Sequence, residues 1–184
     1  MKEIEIKAKL KDKKRVMAAL TALGCSFEAP VSQDDTVYAR NVGSLARFRD
    51  NDVFLRLRVK KGKGISKILF TLKKRGKNDL DSLEHETEVG SREEMERMLF
   101  LMGFKEAVRV SKTRIVTHHL GCEICIDDVE GLGSFIEMEK LTEEGDAELI
   151  QEELFQFFLT LGISRDDRAV SGYDILMFQK HEKK

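Results

Sequence analysis

Along this chain, apolar and charged residues alternate with period two over several short stretches, and within a stretch the charge is mostly of one sign. Glu3-Ile4-Glu5-Ile6-Lys7 puts charge at odd positions and isoleucine at even ones. Phe54-Leu55-Arg56-Leu57-Arg58-Val59 repeats the scheme with two arginines. His85-Glu86-Thr87-Glu88-Val89 and Phe135-Ile136-Glu137-Met138-Glu139 repeat it with glutamates. Side chains of a β-strand alternate between faces, so each like-charged pair shares one face at a spacing of about 6.6–6.8 Å. Most charged alternation is a solvated sheet face. Such a face usually mixes Thr, Ser, Lys and Glu, because same-sign neighbours destabilise one another. Here the signs segregate by strand, acidic in three and basic in one. That predicts a shared charged interior, with Ile4, Ile6, Leu55, Leu57, Phe70, Leu72, Ile136 and Met138 turned outward.

A second periodicity marks helices. Asp12 caps a predicted helix through Val16, Ala19, Leu20 and Leu23 that stops at Gly24. Ser91 and Glu94 form a capping box ahead of Met95, Met98, Leu99 and Met102, with Gly103 as the stop. A third helix runs from about Asp146 through Leu149, Leu154, Phe157, Phe158 and Leu161 to Gly162, and a short fourth covers Gly172 to Gln179. Each of the first three follows an acidic strand, and strands carrying Arg56/Arg58, Lys73 and Lys112/Arg114 lie between. The order predicts an α+β fold whose helices cover the outer face of a charged sheet. Both parities are mixed between Val110 and His119. With one proline and no low-complexity linker, residues 1–184 read as a single domain.

Composition narrows the function classes. Charged residues make up 35% of the 184, well above the usual quarter, yet the net charge is only −1. Neither a field that attracts nucleic acid nor a polybasic membrane patch is expected. No apolar run approaches a membrane span and the N-terminus begins as a charged strand, which predicts a soluble, cytoplasmic protein. Three cysteines are too few for a disulfide framework. Cys122 and Cys125 would face opposite sides of a strand and have no second pair to complete a zinc site.

The predicted interior set is Glu3, Glu5, Glu86, Glu88, Asp127, Glu137 and Glu139 against Lys7, Arg56, Arg58, Lys73, Lys112 and Arg114. Isolated charges are costly to bury. One or two Mg²⁺ or Mn²⁺ ions on the carboxylates would turn this nearly neutral cavity strongly positive and able to accept a polyanion such as a triphosphate. Arginine suits forked phosphate contacts, lysine acts as a point charge, and hard divalent ions bridge carboxylate and phosphate oxygens.

These stretches resemble the motifs of the CYTH superfamily, the triphosphate tunnel metalloenzymes, over nearly the whole chain. Glu3-Ile4-Glu5-Ile6-Lys7 matches its N-terminal E-x-E-x-K signature, Gln33 to Tyr38 its second strand, Leu55-Arg56-Leu57-Arg58 its L-R-x-R strand and Thr71-Leu72-Lys73 its T-x-K strand. Glu86-Thr87-Glu88 and Lys112-Thr113-Arg114 follow in order, and Ile126 to Glu139 is most similar to the class IV adenylyl cyclase branch. Val37-Tyr38-Ala39 and Ser171-Gly172-Tyr173 depart from the family pattern at positions near one tunnel mouth.

The resemblance implies a closed eight-stranded antiparallel β-barrel with helices on its outer face, a charged tunnel through it, and divalent-metal chemistry. It implies metal ligands at Glu3, Glu5, Asp127, Glu137 and Glu139, with Glu86 and Glu88 as supporting acids. Phosphate contacts fall to Lys7, Arg56, Arg58, Lys73, Lys112 and Arg114, and catalytic roles to Lys7, Glu5 and Glu139. The expected reaction is conversion of ATP to cyclic AMP and pyrophosphate. The alternatives are hydrolysis of tripolyphosphate, thiamine triphosphate or a nucleoside triphosphate in the same tunnel, and a polyphosphate-binding module without turnover. The expected partner is ATP or another triphosphate, with a homodimer left open and no nucleic acid or membrane.

Other features read more plainly. Gly62-Lys63-Gly64 lacks the phosphate-loop order and reads as a hairpin turn. His118 and His119 fall on opposite strand faces, Arg165 to Arg168 reads as a solvated loop, and Tyr173 as a packing residue.

Overall fold

In a computed structural model of the chain, residues 2–143 and 145–182 are described. The alternating stretches become strands: β1 (Lys2–Lys9), β2 (Val31–Ala39), β3 (Val53–Gly62), β4 (Ile65–Arg75), β5 (Asp81–Glu88), β6 (Lys105–His119), β7 (Cys122–Val129) and β8 (Gly133–Thr142). They lie in the order β5-β4-β3-β2-β6-β7-β8-β1, and every neighbouring pair is antiparallel. The ring closes where Lys2, Glu3 and Ile4 of β1 pair with Leu83, Ser82 and Asp81 of β5. Farther along β1, the free edge at Lys7 and Ala8 is taken by a ninth short strand, β9 (Arg168–Ala169). The expected solvated loop at 165–168 is therefore a 3₁₀ turn running into β9, held by an edge that β5 leaves open.

Closure puts one face of every strand inside. The even positions of β1 turn outward, and Ile6 and Ala8 join Ile124, Ile126, Ile136 and Met138 under α1 (Lys13–Ala22) and α4 (Ala147–Thr160), against Val16, Leu20, Leu154, Phe155 and Phe158. On the other side Tyr38, Leu55 and Leu57 pack with Ile68, Phe70 and Leu72 under Leu99 and Met95 of α3 (Arg92–Leu101). Each fully buried side chain of this kind is worth about 1.5–3 kcal/mol over exposure, so the outward apolar stripes hold the barrel's shape.

The helix ends follow their local chemistry. Asp12 accepts from the Arg15 amide, Ser91 from the Glu94 amide, and Asp146 from the amides of Glu148 and Leu149. The Ser91 box is half formed, because the Glu94 carboxylate turns to Arg97 at 2.6 Å. The β3–β4 connection is the expected hairpin: Lys63 and Gly64 both have positive φ, as a two-residue I′ turn requires.

The remaining helices close one end of the barrel. α2 (Leu45–Arg49), a single capped turn, is too short to give a periodic signal in the sequence; α5 (Tyr173–Glu182) begins one residue later than expected and ends three later. Inward-facing Val37, Phe54 and Val108 pack with Phe48 of α2 and Ile175 and Phe178 of α5, and the Phe48 and Phe178 rings stack at 4.9 Å. Among the described residues no helix is long and apolar enough to cross a membrane.

Candidate active site in the barrel interior

The barrel interior is a cavity of about 330 Å³ whose two signs of charge occupy two arcs of the wall. Adjacent strands β7, β8, β1 and β5 supply Glu123, Glu137, Glu139, Glu3, Glu5, Glu84 and Glu86; β4 and β3 on one side of β2, and β6 on its other side, supply Lys73, Arg75, Arg56, Arg58, Lys112 and Arg114. Strand register arranges them in rungs. Glu123, Glu139 and Glu5 stand side by side across β7, β8 and β1, one rung from the paired Lys7 and Glu137. On the other arc Lys73 lies opposite Glu84, and Arg56, Thr71 and Glu86 form one rung.

Two groups cross this division. Lys7 stands in the acidic arc, 3.1 Å from Glu5 and 3.0 Å from Glu137. Burial opposes its charge, but Glu137 and then Glu5 outweigh burial and hold it protonated. Asp35 stands in the basic arc and receives Nε and Nη2 of Arg58, both at 2.7 Å. Burial alone would raise its pKa; Arg58 drives it well below the usual range.

Every cation of the predicted phosphate-binding set has a carboxylate neighbour. Arg114 bonds both oxygens of Asp127, at 2.8 and 2.5 Å, and also contacts Glu137. Lys112 reaches Asp127 at 3.1 Å, Lys73 pairs with Glu84, and Arg56 lies 3.5 Å from Glu84 and 3.3 Å from Glu86. Lys112 nevertheless has its pKa lowered to about 8, by burial and then by Arg114, because Asp127 shares its charge with that arginine. Glu84 shows the converse: burial disfavours its charge, yet Lys73 and Arg56 hold it at about 2.

The carboxylates without such partners behave differently. Burial, then Glu84 and Glu139, raise Glu3 to about 8. Burial, then Glu5 and Glu123, raise Glu139 to about 7. This part of the wall is short of positive charge.

Of the residues singled out in the sequence, Glu3, Glu5, Lys7, Arg56, Arg58, Lys73, Glu86, Lys112, Arg114, Glu137 and Glu139 line the one cavity. Glu88 does not: it is exposed and pairs with Lys67 at 3.0 Å, beyond the cavity's reach. Glu84 takes its place, on the same parity and four residues earlier. Asp127 is fully buried behind Lys112 and Arg114 rather than on the cavity wall. Glu123, Asp35 and Arg75 were missed. Glu123 carried the same alternation signal as Glu137, whereas Asp35 was masked by the neighbouring Asp34. Tyr173 packs edge-on to Phe135 but also faces the cavity, with the ammonium groups of Lys7 and Lys112 at 4.2 and 4.7 Å from its ring centre.

Known proteins resemble this chain in sequence and fold. The family model for the CYTH domain matches residues 1–173. The chain belongs to the CYTH family. A protein of Methanocaldococcus jannaschii named "Putative adenylate cyclase MJ0240" is 33% identical over 177 residues, covering 94% of this chain and 97% of its own length. The solved structure of the PH1819 protein from Pyrococcus horikoshii OT3 is 28% identical, covers 97% of this chain and 99% of its own, and has a TM-score of 0.82. A Hippeastrum protein, HpAC1, described as a "Putative adenylyl cyclase" with "a dominant triphophatase activity", shares the fold. It is 20% identical, covers 94% of this chain and 91% of its own, and has a TM-score of 0.57.

CYTH tunnel enzymes use divalent metals in general, and the interior of this CYTH chain suits one chemically. The carboxylates of Glu3, Glu5 and Glu139 offer the all-oxygen donor set that hard divalent ions take. The raised pKa values of Glu3 and Glu139 mark where added positive charge is favoured. Among the described residues no three such groups already form a cluster that could hold an ion, so rotation of these side chains would have to complete the donor set.

Proposed function

We propose that this chain is a divalent-metal-dependent enzyme acting on a triphosphate, with ATP converted to cyclic AMP and pyrophosphate as the favoured reaction. The observation that carries the reading is the division of one cavity into an acidic and a basic arc. A polyanion alone would be repelled by the acids, and a metal alone by the bases; a metal–triphosphate pair matches both.

Glu3, Glu5 and Glu139 would hold a divalent ion, which would supply Lewis acidity toward phosphate oxygens, while Glu137 stays paired with Lys7 and Arg114. The chain's own groups do the rest. Arg56, Arg58, Lys73, Lys112 and Arg114 hold the phosphate chain and stabilise charge on the departing pyrophosphate. Lys7 supplies a fixed positive charge inside the acidic arc. Glu5 and Glu139, directly opposed across β1 and β8, are placed to accept a proton from the attacking oxygen. In cyclisation that oxygen is the ribose 3′-hydroxyl, which bonds to the α-phosphorus as the bond to the β-phosphate oxygen breaks. The adenylate cyclase name of the 33% identical relative supports this choice.

Hydrolysis is the second reading, and one observation favours it. The two aromatic rings that line the cavity already carry cations: Arg75 over Phe54 at 4.6 Å, and Lys7 and Lys112 over Tyr173. A purine therefore lacks an uncommitted stacking surface there, whereas a bare triphosphate needs none. Phosphoryl transfer is mainly positioning and electrostatics, so the same groups serve either outcome. Incubation with ATP and, separately, with tripolyphosphate, each with Mg²⁺ or Mn²⁺, is the test. Cyclic AMP and pyrophosphate support cyclisation; orthophosphate from tripolyphosphate without cyclic AMP assigns hydrolysis; no product from either substrate overturns both.

A further inference from the structure

We propose that Asp35 and Asp127 are positioning residues that aim two arginines at the phosphate chain, and that Asp127 is not a metal ligand. The inference rests on the triphosphate reading above. It starts from a geometry that occurs twice. On the rung joining β2 and β3, Asp35 accepts Nε of Arg58 on one oxygen and Nη2 on the other. On the rung joining β6 and β7, Asp127 accepts Nε of Arg114 on one oxygen and Nη2 on the other, and that Nη2 also donates to Glu137. In both cases the same edge of the guanidinium is docked side-on. The other terminal nitrogen, Nη1, makes no hydrogen bond among the described residues, and both arginines line the cavity.

Docking of this kind fixes a long side chain before its ligand arrives. A free arginine loses rotamer entropy on gripping phosphate, and one already clamped along an edge has lost most of it. The planar fork then presents its second edge in a set direction, which a lysine could not do. Strand register builds the clamp, since each aspartate is the direct cross-strand neighbour of its arginine.

The same facts argue against metal ligation by Asp127. Its side chain has no exposure, its Oδ1 takes one donor, and its Oδ2 takes two, from Arg114 and Lys112. A divalent ion there would have to displace those cations and then sit beside them. Glu139, by contrast, reaches the cavity and has no cation in ion-pair distance among the described residues.

The test separates metal from phosphate. Calorimetric titration of the full chain with Mn²⁺ alone, and with tripolyphosphate in Mn²⁺, is run on the wild type, Asp35→Asn, Asp127→Asn and Glu139→Gln. Both aspartate variants are expected to bind Mn²⁺ within about twofold of the wild type and tripolyphosphate about tenfold or more weakly. Glu139→Gln is expected to lose Mn²⁺ affinity. In an Arg58→Lys background, Asp35→Asn should weaken tripolyphosphate binding no further, because the residue acts through the arginine's fork. If removing the buried charge unfolds the chain, Asp35→Glu and Asp127→Glu keep the charge, shift each arginine by one methylene, and should show the same selective loss. A tenfold loss of Mn²⁺ affinity in Asp127→Asn, unchanged tripolyphosphate binding in the aspartate variants, or an equal loss in the Arg58→Lys background overturns the assignment. A wild type that binds neither Mn²⁺ nor tripolyphosphate overturns the functional reading and this inference with it.

Discussion

Replacing Glu139 by glutamine should stabilise the metal-free protein at alkaline pH while leaving it unchanged at acid pH. Glu139 is pushed from 4.5 to about 7 by burial and by Glu5 and Glu123. The folded state therefore holds this proton more tightly than the unfolded chain does. Its contribution to stability is fully present below about pH 4.5 and is lost as pH rises to about 7. A shift of that size corresponds to at most about 3 kcal/mol of penalty on the ionised form, and we expect about 2 kcal/mol after local screening. Glutamine keeps the shape without the charge. For a chain of this length, about 2 kcal/mol moves the thermal midpoint by about 4–8 °C. The assay is thermal unfolding followed by circular dichroism in excess EDTA, for wild type and Glu139→Gln, at pH 5 and pH 8. The variant should melt higher at pH 8 and much closer to the wild type at pH 5. A variant that melts lower at pH 8, or shows the same difference at both values, refutes the claim that Glu139 is an under-compensated buried charge.

Other outcomes follow from the same cavity. Glu5→Gln and Glu139→Gln should each abolish turnover with the fold intact, and excess EDTA should silence the wild type; activity that survives either treatment, measured by product chromatography, contradicts the metal-tunnel reading. Lys112→Ala should weaken tripolyphosphate binding about tenfold or more by removing a buried cation; calorimetry decides this, with unchanged affinity counting against a phosphate role. Phe178→Ala should cost about 3–5 kcal/mol in denaturant unfolding, because its ring fills the apolar seal between α5 and Phe48. A cost under about 1 kcal/mol would mean that α5 does not pack the barrel end.

Parity made much of this molecule readable from the sequence, and parity also set the limit. Alternation tells which residues share a face, so the lumen and its outward apolar partners could be assigned strand by strand. It does not tell how far along a strand the cavity extends. Glu84, Glu86 and Glu88 share one face, and only the pairing of Asp81 to Leu83 with β1 brings the first two inside and leaves the third at the rim. Asp34 and Asp35 are adjacent acids, and the rung opposite Arg58 selects which one enters the barrel. β9 is too short to show any period and exists because β1 has an edge to fill. The departures came from register and closure, which involve residues far apart in the chain.

The way the ring closes also bears on how the chain folds. β1 carries Glu3, Glu5 and Lys7, yet most of its pairing is with β8, residues 133–142, and its closing contacts are with β5. β1 finds its main partner only once β8, with six strands between them in the chain, has been made. Such long-range pairing slows folding, because loop closure must precede the contacts that reward it. Until then the most charged strand of the future lumen stays in water, where its like charges cost little. The acidic arc is therefore assembled late, onto a barrel whose β2–β3–β4 meander can already have formed. A substitution in β1 should show itself more in the rate of unfolding than in the rate at which the rest of the sheet collapses.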